Sequence, residues 1–323
     1  MGVSDTWRPL AEALLGQAEL SPNDVAQQSG ISRDRAGRLW RALGFPPVAD
    51  DERVFTRADV EVLRAVQHLI DERDADPADL LQLTRVVGQS LARVADAEVT
   101  AVVDRVARVH ADEPAAPAAT AELFERVRNL APALEQLLGY VWRRHLLAAL
   151  LRISATPAAA DRDQTVGFAD LVGFTAISQA LDSKALAAMV DRFEAVVYEH
   201  IPARGGRVVK MIGDEVMFAA DDAETAAQIA LELVDAHARD DILPNVRVGL
   251  ASGPTLAWEG DLFGPTVNLA SRLVNLARSQ TVLVSEALGQ LLLDNAAFAL
   301  RRLRGVRLQG IGRVSPWVLR RAR

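Results

Sequence analysis

Apolar positions along this chain change their period once, near residue 164. Before it they recur at intervals of three and four, the mark of helices; after it, short apolar runs alternate with helical segments. In the first half, Leu10, Leu14 and Leu15 carry the helical period toward Ser21-Pro22, a serine cap followed by a first-turn proline. Val25 to Phe45 predicts a short helix, a turn at Gly30 and a second helix from about Ser32, ended by Pro46 and Pro47. Val54 to Val60 predicts a short extended piece entering a helix capped by Thr56. Asp76-Pro77 opens a long helix with Leu80, Leu83, Val87, Leu91 and Val94 on or near one face. Pro114 and Pro117, set among alanines, predict a joint. Leu123, Val127, Leu130, Leu134, Leu137 and Val141 then follow with spacings alternating four and three, a heptad seam. Pro132 is expected to start or kink a helix inside that seam, and packing within the domain accounts for it as well as a coiled coil does. Ser154 to Asp163 is small and polar, a linker.

From Thr165, strands at Val166–Ala169, Arg207–Met211 and Val246–Leu250 alternate with helical patterns at 184–200, 222–238 and 266–277. An α+β or α/β sheet domain is expected after an all-α half. The length of 323 residues suits two domains. Their expected bounds are 1–153 for the helical part, divided at 75/76, then the linker 154–163 and the sheet domain 164–323.

Composition narrows the function classes. Hydrophobic residues make up 50% and charged residues 24%, a globular balance. With no cysteine, disulfides, thiolate metal sites and cysteine nucleophiles are excluded, and a reducing cytoplasm fits. The longest unbroken apolar stretch, Leu146 to Leu151, is far short of a membrane span, and the N-terminus lacks a basic-then-apolar signal. A soluble cytoplasmic protein without a membrane partner is expected. Met1-Gly2 with Thr6 matches the myristoylation pattern, but nothing else points to acylation. A net charge of −7 opposes indiscriminate attraction to nucleic acid or anionic lipid.

The helices of the first 70 residues resemble the winged-helix head of MerR-type regulators, and Arg33, Arg35, Arg38 and Arg41 on the second of them would suit phosphate contacts. A packed regulatory module with a solvated arginine face is the preferred reading over DNA binding, because fold alone does not give function. Its signal is open: a small apolar ligand fits a helical module, and His68, His110 and His145 are candidates for sensing protons.

Three segments carry chemistry. Phe168 to Thr175 places Asp170 where an apolar strand ends, before Gly173 and a helix start whose backbone N–H groups at Gly173, Phe174 and Thr175 can hold phosphate. Lys210 to Phe218 puts Asp214 at a hairpin turn, after a glycine suited to its first central position. Two such aspartates suit Mg²⁺, a hard ion held by one or two carboxylates plus substrate phosphates. In the third segment, Asp261 to Arg272, a helix from about Thr266 sets Asn268 and Arg272 on one face, where they can reach one object.

In this order and at these separations the segments resemble the catalytic domain of class III adenylyl and guanylyl cyclases over about Thr165 to Leu319. Leu308-Gln309-Gly310-Ile311 is similar to the family's Leu-Lys-Gly-Ile strand, with Gln309 departing from its lysine. The resemblance implies a ferredoxin-like α+β core, an active homodimer with sites at its seam, ATP as substrate and two Mg²⁺ or Mn²⁺ per site on Asp170 and Asp214. It implies purine reading by Lys210 and Asp261, and transition-state roles for Asn268 and Arg272. Adenine's N6 amino donor and N1 acceptor match the Asp261 carboxylate and Lys210 ammonium, whereas guanine reverses both contacts. Gly213-Asp214-Glu215 also resembles part of the diguanylate cyclase hairpin, but the Lys210/Asp261 pair and Val267 to Arg272 fit that family poorly. A DNA-binding regulator with a nucleotide-sensing domain is a third reading, opposed by the intact metal and transition-state positions.

Overall fold

The computed structural model describes residues 7–73, 75–110, 117–154 and 161–322. The myristoylation pattern at Met1–Thr6, Pro114 and residues 155–160 of the linker lie outside the described residues. The chain divides into two compact units, residues 1–157 and 158–323.

The first unit is helical: α1 (Arg8–Leu15), α2 (Pro22–Ser29), α3 (Arg33–Ala42), α4 (Arg57–Asp71), α5 (Pro77–Val109) and α6 (Pro117–Ser154). Its boundaries follow local chemistry. Ser21 and Asp24 form a reciprocal capping box at α2, and Gly30 ends that helix in the left-handed region. At α4 the Asp59 carboxylate accepts from both the N–H and the hydroxyl of Thr56. Val25, Phe55 and Val60 form a small core, and the extended piece contributes a single antiparallel bridge, Leu20 to Phe55. Gly88 of α5 is buried against the backbone of Leu43, which caps α3: a Cβ there would lie 2.6 Å from that backbone, so the two helices meet main chain to main chain. Pro132 neither starts α6 nor ends it: the helix runs unbroken through it. A proline within a long helix costs about 3 kcal/mol locally, which the many bonds of the flanking turns absorb.

The second unit is α+β. Its elements are β1 (Asp161–Leu171), α7 (Phe174–Ala180), α8 (Ser183–Ala203), β2 (Arg207–Ile212), β3 (Glu215–Ala220), α9 (Ala223–Arg239), β4 (Val246–Trp258), β5 (Asp261–Phe263) and α10 (Pro265–Leu276). After them come β6 (Val282–Val284), α11 (Glu286–Leu291), β7 (Phe298–Arg302), β8 (Val306–Leu308), β9 (Gly312–Val314) and β10 (Trp317–Arg321). The main sheet runs β2-β3-β1-β4-β6-β10-β7, with β5 added to β4, and β8–β9 form a separate ribbon. Strand β1 begins at Asp161, inside the span read as linker, because Asp161 to Asp163 pair with β4 from Leu256 to Pro254.

Alternation along β1 assigns its two faces. Ala169 and Leu171 enter the larger core with Phe193 of α8, Ile229 and Leu233 of α9, and Leu288 of α11. Val166 and Phe168 enter a second core with Met217 of β3, Ala251 of β4, and Ala270 and Val274 of α10. Asp170 shares the second face, two residues beyond Phe168.

One polar group lies deep in the larger core. His237 of α9 is 2% exposed, its Nδ1 sits 2.7 Å from the Leu233 carbonyl oxygen, and its ring meets Phe193 edge-on. Its Nε2 is buried with no partner among the described residues. Burial holds the imidazole below its ordinary pKa, against the smaller opposing pull of the Leu233 carbonyl and Asp240. The folded unit therefore keeps His237 neutral where the unfolded chain, titrating near 6.5, takes up a proton. Stability is full above about pH 6.5 and falls as pH drops toward the lowered folded value, by at most about 1.4 kcal/mol per pH unit. Thermal melts between pH 7.5 and 5 are expected to lose less Tm with His237→Leu than with the wild type; equal slopes would show that His237 does not carry the effect.

Candidate active site

The site grows from the end of β1. Asp170 pairs across the sheet with Glu215 of β3 on one side and Arg247 of β4 on the other. Arg247 donates from Nε to the Asp170 carboxylate at 2.6 Å and from a terminal nitrogen to the Asn275 carbonyl of α10 at 3.3 Å. Asp214 stands in the two-residue turn closed by Ile212 and Glu215, where Gly213 takes a left-handed φ of 64°. The Leu171 N–H donates to the Asp214 carbonyl at 3.1 Å, so the turn is fastened beside the end of β1.

Three carboxylates thus crowd one corner. Burial pushes the Asp170 carboxyl above the usual range, Asp214 adds to the rise, and Arg247 pulls against it. Glu215 is pushed up to about 7, first by burial and then by the charges of Asp170 and Asp214.

Beyond Asp170 the chain turns at Gly173, left-handed with φ 80°, into α7. The Gly173 carbonyl accepts from the N–H groups of Ala176 and Ile177. Phe174 packs against the larger core and Thr175 is exposed.

A second group forms between β2 and β5, where Lys210 donates to the Asp261 carboxylate, whose other oxygen accepts from the Leu262 N–H at 2.8 Å. The third group is α10. Thr266, Ala270, Leu273 and Val274 face inward, leaving Asn268 and Arg272 exposed. Gly249 lets α10 settle on β4: a Cβ there would lie 2.2 Å from the Val274 nitrogen and 2.6 Å from the Ala270 oxygen. The Thr266 hydroxyl adds a bond to the Pro254 carbonyl at 2.8 Å. Asp170 and Asp214 are therefore brought together, as are Lys210 and Asp261. Among the described residues no hydrogen bond or ion pair joins Asn268 or Arg272 to either group.

A profile of the adenylate and guanylate cyclase catalytic domain matches residues 157–321. The chain belongs to the adenylate and guanylate cyclase family. A second profile, the adenylate cyclase regulatory domain, matches residues 8–152. Among curated relatives, an adenylate cyclase of Glutamicibacter nicotianae is 36% identical, covering 98% of this chain and 83% of its own. An adenylate cyclase of Streptomyces coelicolor is 36% identical, with 97% and 90% covered. The solved catalytic core of a rhodopsin-guanylyl cyclase with converted specificity, in complex with ATPαS, is similar at 25% identity and a TM-score of 0.47, covering 50% of this chain and 98% of that one.

The cyclase's acidic corner fits a divalent cation. Carboxylates whose ionisation is opposed by burial and by one another are the donors a hard cation stabilises. Among the described residues no three such donors are placed to hold an ion by themselves. Sequence reasoning missed Arg247, the counter-charge to Asp170. Its signal was an arginine between Val246 and Val248 of an otherwise apolar strand, on the face that alternation gives to Asp170. In the sequence Glu215 stands out only as part of the Gly213-Asp214-Glu215 run shared with diguanylate cyclases.

The contact at Gly249 ties the placement of α10 to packing. Gly249→Ala is expected to cost the catalytic unit about 1–3 kcal/mol. That lowers its Tm by roughly 2–4 °C per kcal/mol, and turnover should fall because Asn268 and Arg272 ride on the displaced helix. Gly139→Ala, where only the tip of Arg143 lies within 4 Å and which lies in the other unit, is the control expected to leave the Tm of the catalytic unit unchanged. A Gly249→Ala protein as stable and active as wild type would refute the close packing.

Proposed function

We propose that this cyclase converts ATP to 3′,5′-cyclic AMP and pyrophosphate at two composite sites of a twofold homodimer, with two Mg²⁺ or Mn²⁺ per site, and that residues 1–153 modulate the rate. The observation carrying the base assignment is the ion pair of Lys210 with Asp261. Adenine can enter that pair with its N6 amino group donating to Asp261 and its N1 accepting from Lys210; guanine would set donor on donor and acceptor on acceptor.

Bound at Asp170 and Asp214, the cations would acidify the ribose 3′-hydroxyl and offset charge on the leaving pyrophosphate. The chain's own groups do the rest. Backbone N–H groups at Gly173, Phe174 and Thr175 hold phosphate at the start of α7. Asn268 positions the ribose for in-line attack on the α-phosphorus, and Arg272 offsets charge as the bond to the leaving group breaks.

The composite site is favoured by what one chain lacks. Asn268 and Arg272 stand exposed without a side-chain partner among the described residues, and no bond ties them to the aspartates. A second copy, related by a twofold axis, would bring its α10 to the first copy's acidic corner and receive the same in return. For the N-terminal unit, the α3 arginines support regulation over DNA reading. Arg33 pairs with Asp50, Arg35 with Gln67 and Arg38 with Asp34, all inside the unit.

Two outcomes test this. ATP should be preferred over GTP in kcat/KM by up to about 10⁴–10⁵, the discrimination buried polar contacts achieve; equal values would mean that Lys210 and Asp261 do not read the base. Asp170→Ala and Arg272→Ala should each be nearly inactive, the second by about 10³–10⁵. Co-expressed, they should recover activity, since each heterodimer contains one site carrying both defects and one carrying neither. Confirmed heterodimers as inactive as their parents would place all catalytic residues within one subunit.

A further inference from the structure

Strand β2 breaks its own alternation just where the Lys210–Asp261 pair begins. In a regular strand, residues three apart face opposite sides of the sheet. Val208 and Met211 nevertheless both pack on the larger core, while Val209 packs on the second. The pairing with β3 shows how this is done: Val208 stands opposite Phe218 and Lys210 opposite Met217, so Val209 is an extra residue left out of the register. This is a β-bulge, in which two consecutive side chains share the face of the single residue opposite them. Met217 belongs to the second core, and Val209 and Lys210 therefore both point to its side of the sheet. Strand β2 is an edge of the main sheet, where a bulge disturbs one ladder only. Outside glycine, the left-handed backbone positions among the described residues are Arg73, Glu259 and Gln280, so the bulge stores no such strain and a β-branched residue fits it.

We infer that Val209 is a positioning residue for base selection: anchored in the second core, it holds the bulge that aims Lys210 at Asp261 of β5. The inference rests on the reading of Lys210 and Asp261 as the pair that recognises adenine. Three observations carry it. First, counted on from Val208, unbroken alternation would turn Lys210 toward the larger core, an apolar place in which an ammonium is costly. The extra residue turns it to the other face and returns Met211 to the core. Second, β5 is not a neighbour of β2 in the sheet, for β3, β1 and β4 lie between them. Lys210 thus meets Asp261 by reaching over the second-core face and not along a ladder, and re-aiming a side chain in this way is what a bulge beside an active site does. Third, the two members of the pair are secured alike. Leu262, next to Asp261, is 2% exposed in the second core and donates its N–H to the Asp261 carboxylate at 2.8 Å; Val209, next to Lys210, is the corresponding anchor. Adenine's N6 and N1 lie at a fixed spacing, so a carboxylate and an ammonium held at a fixed separation read the base, and a mobile ammonium does not.

The test is to measure kcat and KM for ATP and for GTP in the full-length enzyme, with Tm alongside. Deleting Val209 leaves Val208 opposite Phe218 and Lys210 opposite Met217 in a hairpin without a bulge. The ATP:GTP ratio in kcat/KM should then fall by about a hundredfold, the loss that a misplacement of roughly 1 Å can bring. Most of the fall should appear as a raised KM for ATP, because Asp170, Asp214, Asn268 and Arg272 are all still present. Val209→Gly, which keeps the residue count but removes the anchor, should lower the ratio at least about tenfold, and it decides the matter if the deletion does not fold. Val209→Ile should keep the wild-type ratio. Val208→Ala, a comparable loss of packing on the opposite face, should lower Tm and leave the ratio alone, which separates positioning from a merely structural role. A folded deletion or Val209→Gly protein whose ratio falls by less than about tenfold, or a ratio that falls as far with Val208→Ala, would overturn the role of the bulge. A wild-type enzyme that takes ATP and GTP equally overturns the reading of Lys210 and Asp261, and the inference falls with it; a wild-type preference kept without the bulge overturns the inference alone.

Discussion

Strand β1 is bonded on both sides, to β3 from Thr165 to Asp170 and to β4 along its whole length. With both neighbours in place and both faces buried over most of its course, its register has no freedom: a slip of one residue would send Phe168 into the larger core and Ala169 out of it. The position of Asp170 follows from that constraint. It is the last residue of the alternating set that includes Val166 and Phe168, and it is the first whose neighbours are charged. The acidic corner is thus an extension of the hydrophobic pattern into the place where the pattern ends.

Electrostatics at that corner are held in tension. Arg247 partly neutralises Asp170, while burial and then the charges of Asp170 and Asp214 raise Glu215 to about 7. A group of this kind is costly without a cation. It is kept in place by the backbone, through the Leu171 to Asp214 hydrogen bond and the hairpin closed at Ile212 and Glu215. The second half of the site depends on a different contact, the bare backbone of Gly249 under α10. Strands and a helix therefore carry most of the proposed functional side chains, while Asp214 sits in a tight hairpin turn and the N–H groups at Gly173 to Thr175 at the turn into α7.

The two long helices of the regulatory unit divide their work along their length. Near the joint they pack on each other through Val102, Val106, Leu123 and Val127. Further along, both expose apolar residues, Leu83 and Leu91 on α5 and the seam on α6.

How much was legible in the sequence differs between these parts for physical reasons. Element types and most helix starts were readable because caps are local: Ser21-Pro22, Ser32, Thr56 and Asp76-Pro77 act through bonds to residues two or three places away. The three chemical segments and the family could be read because glycines, acids and their spacing are themselves sequence. Tertiary structure alone decided the rest. Arg247 became a site residue because strand pairing set it opposite Asp170, across 77 positions of chain, and no local pattern encodes such a partner. The early start of β1 was set by pairing with β4, and the burial of His237 by the sheet beneath α9. The seam shows the boundary most clearly: its spacing was plain in the sequence, but that its first turns are covered and its later ones open depends on where α5 lies, a long-range fact that periodicity does not contain.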